Sequence, residues 1–382
     1  MSQHRGGTPC GVTAIGMVSA LGRDAITSCA AGRSGLSMPS ELKVMDFQTQ
    51  SLFGEETYHG PPAVVGHAVR GIAEGFAGPA KALMLGVGAL REVIQKRGLS
   101  PQELRRTALV LNLSDWVLQD EAASKSGEAQ PEGKPSQRWI VQTADLGQKL
   151  VKRAEVALPP ELQIVVHGGH AGLALAVREA LTMIERGRAD RCLVGGIESR
   201  VEPAFLRAAA ALKLLRTNDT PAGLMPGEGA AFFLLEPVDV RGAKGAQVVL
   251  DGVASGSEAA GSRSDALPNG ASLAQTLLDL LREVPLTEQH GWMIGDLNGT
   301  ERRAMEWGRA AVRVHAEHPL DQVPLWLPAS SFGDTGAASA AMGVCMAVRA
   351  FERGYAPARR CLLWMCSEGP HRGALALRHR VN

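Results

Sequence analysis

The chain of 382 residues is short of the features that usually announce a function. No stretch approaches the roughly 20 consecutive apolar residues that cross a bilayer, and the first residues lack the apolar core of a secretion signal. No membrane span is expected, and the cytoplasm is the default location. A formal net charge of only +1 supplies no broad field to draw the chain to nucleic acid or an acidic membrane. The six cysteines, Cys10, Cys29, Cys192, Cys345, Cys361 and Cys366, include no Cys-x-x-Cys pair and read as reduced structural thiols. Neither a Gly-x-x-x-x-Gly-Lys-Ser/Thr nor a Gly-x-Gly-x-x-Gly motif follows a strand, which disfavours a nucleotide-binding fold. What remains, 45% hydrophobic and 21% charged, is the composition of an ordinary globular protein with a sizeable core.

The most informative stretch runs from Gln163 to Gly187. Gln163-Ile164-Val165-Val166 is rich in β-formers, His167-Gly168-Gly169-His170-Ala171-Gly172 is a tight glycine loop, and Leu173 to Arg186 is an almost wholly apolar helix closed by Gly187. This predicts a buried strand, an elbow and a buried helix. An elbow of this kind presents a residue at a helix N-terminus, where backbone N–H groups and the dipole favour a nucleophile or an anion. Here no Ser or Cys occupies it. The pattern recurs at Ala329-Ser330-Ser331-Phe332-Gly333-Asp334-Thr335-Gly336-Ala337-Ala338 and the small-residue helix after it. Superposition places His167 on Asp334, Gly169 on Gly336 and Ala171 on Ala338, and it aligns Glu185-Arg186-Gly187 with Glu352-Arg353-Gly354. An internal duplication with facing loop-helix units follows.

At these residues the chain resembles the ketosynthases of the thiolase superfamily, over nearly its whole length. Val12 to Gly22 is similar to that family's opening strand and turn, Arg188 to Glu198 to the strand after the nucleophile helix, and Met225-Pro226-Gly227-Glu228-Gly229-Ala230-Ala231 to its Pro-Gly-Glu-Gly-Ala-Ala strand. The resemblance implies a duplicated α/β structure, the thiolase-like αβαβα layered fold, with halves at 1–242 and 243–382. It also implies a dimer formed through residues 162–166. The catalytic positions depart from the family one after another: the cysteine nucleophile falls on Gly169 or a neighbour, in a loop without any thiol, the first histidine on Asn298, the lysine on Ala329 and the second histidine on Asp334. The glycine-rich gate near the C-terminus is replaced around Glu368 to Gly373.

The expectation is therefore a catalytically inactive scaffold or accessory subunit, with no cofactor, no metal, no acyl thioester ligand, and a homodimeric or heterodimeric partner. Inactive relatives implied by the resemblance are chain-length partners of active ketosynthases and thiolase-like accessory proteins of type VI secretion effector clusters, the second slightly favoured. The rival is an acyltransferase or hydrolase using His167 or His170 with Asp334. It lacks a nucleophile, since Ser330, Ser331 and Thr335 do not occupy the elbow. A His167-x-x-His170 metal site would have only two ligands, and His315 and His318 are expected to be solvated. Glu198 and Glu228 are expected to brace loops.

Elsewhere, Asp24 is a candidate N-cap for a helix from Ile26 to Ala31. A helix is predicted over 80–95 with Gly98 at its end, a central strand over 107–113, and helices over 137–158 (with a break near Gly147), 272–283 and 301–317. Strands are predicted at 248–253, 361–366 and 373–378, with a strand into a loop over 292–298 and a strand into the second elbow over 325–330. Residues 1–10, 37–66 and 255–270 read as a tail, an irregular excursion and a connector, residues 119–137 as mobile, and Gly242 to Gly245 as the boundary between halves.

Overall fold

The computed structural model describes residues 8–42, 64–127, 133–217, 220–238, 247–258, 268–286, 291–320 and 322–380. In the first half, β1 (Cys10–Val18) leads to α1 (Ala25–Arg33), the short β2 (Ser40–Glu41) and β3 (Val65–Gly66), α2 (Gly78–Arg97) and α3 (Pro101–Leu104). Then come β4 (Thr107–Leu113), α4 (Val117–Ser126), α5 (Pro135–Thr143), α6 (Leu146–Ala154), β5 (Gln163–His167), α7 (Gly172–Glu185), β6 (Arg191–Ser199), α8 (Pro203–Ala211) and β7 (Glu228–Pro237). The second half repeats the plan with β8 (Val248–Ser257), α9 (Ala271–Leu281), β9 (Gly291–Ile294), α10 (Glu301–His315) and β10 (Leu325–Trp326). It closes with α11 (Ala329–Phe332), α12 (Ser339–Glu352), β11 (Arg360–Cys366) and β12 (His371–His379).

Ten of the twelve strands form one sheet in the order β10-β9-β11-β12-β8-β1-β7-β6-β4-β5, while β2 pairs with β3 apart from it. Counting only the strands of the large sheet and reading outward from the antiparallel β1/β8 contact, both halves give the same sequence of first, fifth, fourth, second and third strand. The duplication inferred from the two glycine loops is thus written in the topology. The expected boundary at 242/243 falls within 239–246, outside the described residues.

Strand alternation sorts the core into layers. On β7, Ala231, Phe233 and Leu235 face the central cluster around α7 and α12, while Ala230, Phe232 and Leu234 face an outer cluster with α2 and α6. On β11, Cys361, Leu363 and Met365 face the centre, whereas Leu362, Trp364 and Cys366 face α9 and α10. A helix touching both sheet layers has no face to spare for polar side chains, which is why α12 is buried from Ser339 to Val348. The result is the αβαβα layering.

Local chemistry accounts for the helix ends. Asp24 accepts a hydrogen bond from the Thr27 N–H at 2.7 Å, and Gly98 ends α2 in the left-handed region at φ +67°.

Several expectations need correction. The run Gln163 to His167 is not an enclosed strand: β5 is the outermost strand of the first half and is half-buried along its length. Residues 119–137 are largely ordered, through α4 and α5. Their polar composition is offset by Leu118, which is buried, by a Trp116–Trp139 stack with ring centroids 4.9 Å apart, and by Asp120, which accepts from the Ser136 N–H at 2.8 Å. Only 128–132 of that stretch lies outside the described residues. The helix expected over 137–158 breaks between Thr143 and Leu146, ahead of Gly147. The segment 325–330 is a two-residue strand followed by α11. Of the remaining irregular stretches, 1–7, 43–63 and 259–267 lie outside the described residues.

Candidate functional site

The two glycine loops meet at the end of β4. Asn112, fully buried, donates through Nδ2 to the Gly169 carbonyl at 2.7 Å and to the Ala337 carbonyl at 3.1 Å. One side chain thereby ties both loops, and its bulk dictates the glycine at 172, where a Cβ would lie 2.0 Å from Asn112 Oδ1. Gly169 has φ +60°, a backbone strained for any side chain, and a Cβ there would sit 2.9 Å from Asp115 Oδ2. Ser367 donates to the Gly168 carbonyl and accepts from the Ala171 N–H at 2.8 Å, so the loop is pinned from the second half as well.

Around this junction lies a buried network of charge centred on Asp334. Its Oδ1 is 2.7 Å from His170 Nε2 and accepts from the Gly336 N–H at 3.0 Å. Its Oδ2 accepts from Arg200 Nη1 at 2.9 Å and from Asn298 Nδ2 at 2.7 Å. Arg200 also donates to Glu198 at 2.9 Å, and the other Glu198 oxygen accepts from the Ala337 N–H at 2.6 Å. Arg303 joins Asp296 at 2.7 Å to Glu368 at 2.9 Å. Removing one member would strand a charge in low dielectric.

The proton affinities follow from these contacts. Burial pushes the Asp334 carboxyl up, but Arg200 and His170 outweigh it and hold the group well below the carboxylate range. Burial pulls His170 down, and the Asp296 and Asp334 carboxylates overcome that, raising its affinity for a proton. Asp296 is raised chiefly by its burial. Asp115 is raised by burial and by the nearby Glu198 and Glu368. Glu368 is lowered on balance, because Arg303 and Arg200 counter its burial.

Of the residues singled out in the sequence, His170, Asn298 and Asp334 come together, with Gly169 beside them. His167 does not: it ends β5 and points to Thr143, with 2.8 Å between Nε2 and Oγ1, and burial lowers its affinity for a proton. Ala329 makes no part of the charge network and lines a cleft that Asn298 also lines. Among the described residues no group of three or more His, Cys, Asp or Glu side chains is placed to hold a metal. Glu198 and Glu228 both brace loops, the latter accepting from the Val69 N–H at 2.8 Å and from Ser199 Oγ at 2.7 Å.

Sequence reasoning missed Asn112, Arg200, Asp296, Arg303 and Ser367. The available signal was a polar residue at the mouth of an apolar strand, as in Asn112 on β4, Arg200 after β6 and Asp296 after β9.

The chemistry open to this arrangement is narrow. His170 is fully buried and oriented by Asp334, as a general base would be, but its Nδ1 has no hydrogen-bond partner and so no hydroxyl in reach among the described residues. All six cysteines are free and buried. Burial pushes Cys10 up to about 11 and Cys192 up to about 12, the opposite of an activated thiolate.

Comparison with known proteins agrees with the architecture. Residues 164–241 match the family described as beta-ketoacyl synthase, N-terminal domain. No curated protein sequence matches the chain. A solved type II PKS acyl-carrier protein in complex with its ketosynthase bound to the hexaketide is similar at TM-score 0.74 and 17% identity, covering 98% of this chain and 100% of that one. The ishigamide ketosynthase/chain length factor is similar at TM-score 0.73 and 18% identity, over 98% and 100%. The oxazolomycin ketosynthase domain of Streptomyces albus is similar at TM-score 0.74 and 14% identity, over 98% of this chain and 74% of that one. The described helices include none long and apolar enough to cross a membrane. The chain has the thiolase-superfamily fold of the beta-ketoacyl synthases.

Proposed function

We propose that this protein is a ketosynthase-like subunit that does not condense acyl groups and works by binding another protein. The observation that carries the reading is the elbow: it holds no thiol or hydroxyl, its Gly169, at or next to the position where the resemblance puts the nucleophile, is crowded by Asp115, and the centre beside it is filled with ion pairs. The open edge at β5, whose outer side has no strand partner among the described residues, supports a protein partner. Likeness to a ketosynthase/chain length factor structure supports a ketosynthase as that partner; the secretion accessory is the other partner class that the resemblance raised. The acyltransferase or hydrolase reading would need a hydroxyl or thiol within reach of His170.

Intact-mass measurement after incubation with acyl and malonyl thioesters tests the absence of chemistry. No adduct and no condensation product are expected. Gly169→Cys should also fail to condense, because a nucleophile is one of several groups that act as a unit. A stable adduct near the elbow, or turnover by the single variant, would sink the proposal. The partner edge is tested by light scattering: an obligate interface at β5 would bury on the order of 2,000 Å². Val165→Lys should dissociate or precipitate the protein. A chain that stays monomeric at micromolar concentration would remove the homodimer and leave a heteromeric partner to cover the edge.

A further inference from the structure

The outer face of α10 departs from the pattern of a surface helix. Arg303, Glu306, Ala310 and Val314 are buried toward the sheet, so residues at helical spacing on the opposite side face solvent. That side of a helix is ordinarily polar. Here it carries Ala304, Met305, Gly308 and Val312, with Glu301 and His315 only at its two ends. Val312 is 73% exposed, and Ala304 and Gly308 are exposed beside it. The neighbouring arginines are drawn off the face: Arg309 donates through Nη1 to the Pro268 carbonyl and Arg313 through Nη1 to the Asn269 carbonyl, both at 2.7 Å.

Gly308 is the unusual part. It lies in the middle of a 15-residue helix, outside the left-handed region, and a Cβ there would meet nothing within 4 Å. No turn and no packing within the described chain calls for glycine, which is destabilising in a helix interior relative to alanine. Glycine suits a place where another backbone approaches closely, and with Ala304 one turn away it lets a second helix come to about 8 Å between axes. The face is complementary to itself. Two copies of α10 packed antiparallel about a two-fold axis at Gly308 put Glu301 opposite His315, Ala304 opposite Val312 and Met305 opposite Ala311. His315 Nδ1 accepts from the Leu320 N–H at 3.2 Å, which places the proton of the neutral ring on Nε2 as a donor to the facing carboxylate.

We infer that α10 packs antiparallel against α10 of a second copy of this chain, with Gly308 at the two-fold axis. The contact is separate from the β5 edge and does not rest on the partner proposed above: with β5 free it gives a dimer, and with β5 covered it links the resulting complexes in pairs. One helix pair buries less than the ~1,200–2,000 Å² of stable complexes, so the association is weak and concentration-dependent.

Disulfide trapping on the full chain tests this, because all six native cysteines are buried and an introduced surface thiol reacts alone. Gly308→Cys has open space for its side chain. Under mild oxidation it should form a disulfide-linked pair at least about tenfold faster than Arg186→Cys, an exposed control at the end of α7. Adding Val312→Arg to Gly308→Cys should slow that cross-link by about tenfold. The register is read by mixing two single variants: Ala304→Cys should link to Val312→Cys and neither should link to itself. Cross-linking of Gly308→Cys no faster than the control, a rate unchanged by Val312→Arg, or self-linking of Ala304→Cys or Val312→Cys at the rate of the mixture would each overturn the inference.

Discussion

The Gly169 elbow and the Gly336 elbow have the same backbone: φ values of +60° and +55°, a single 3-10 turn, and a helix of 14 residues. Their surroundings differ. A Cβ at Gly169 would approach a carboxylate oxygen of Asp115 to 2.9 Å, a contact that a small shift relieves. At Gly336 it would lie 2.0 Å from Glu198 Oε2 and 2.6 Å from Arg200 Nε, inside an ion pair that is itself held on both sides. The first elbow contributes only His170 to the network, whereas the second contributes Asp334, on which four hydrogen bonds converge. Duplication has preserved the geometry of the turn while the two copies took up different work, one left crowded but slack, the other serving as the keystone of a buried charge network.

The largest effect should come from that keystone. Asp334→Ala leaves Arg200 short of a buried partner and removes acceptors from His170, Asn298 and the Gly336 N–H. A loss of about 3–5 kcal/mol in urea unfolding is expected. A loss below about 1 kcal/mol, the size of an ordinary hydrogen bond, would mean that Asp334 is not the keystone of the network.

Next come the glycines. Gly336→Ala combines left-handed backbone strain with a clash against Glu198 and Arg200, and should cost about 3 kcal/mol. Gly169→Ala meets similar strain with a milder contact and should cost about 1–2 kcal/mol. Equal losses in thermal or chemical unfolding would erase the difference between the elbows.

The smallest effect is the dependence on pH. Because the folded protein holds the His170 proton more tightly than an unfolded chain, the stabilisation is full below the unfolded value of about 6.5. It fades as pH rises through the raised folded value. Asp296, also raised, acts in the same direction, so the two titrate as a coupled set. Asp334 is depressed and works at the other end: its contribution is present above about pH 4 and is lost on acidification. Unfolding free energy should therefore decline as pH rises above about 6.5, and His170→Asn should flatten that limb while leaving the acid limb in place. An unchanged slope in His170→Asn would assign the titration elsewhere.

Much of the fold was legible because its signals are local. Glycines at 168, 169 and 172 with an apolar helix behind them predict an elbow wherever they occur, and the recurrence at 333 and 336 predicts the second copy. Asp24 and Gly98 mark helix ends by their own chemistry. The site was legible only in part. That Asn298 and Asp334 share a centre with a histidine was suggested by the resemblance, but no local rule selects His170 over His167. His167 is the last residue of β5 and faces Thr143, whereas His170 lies in the turn and faces Asp334.

The sequence by itself determined the two elbow-helix units and their repeat, since glycine placement and apolar periodicity act over a few residues. Only the tertiary structure decided that β5 is an edge, that α4 and α5 are held by an aromatic stack, and that Arg200, Arg303 and Glu368 close around Asp334. Each of those outcomes depends on residues distant in the chain, where desolvation and charge pairing are set by what packs opposite and not by neighbours in sequence.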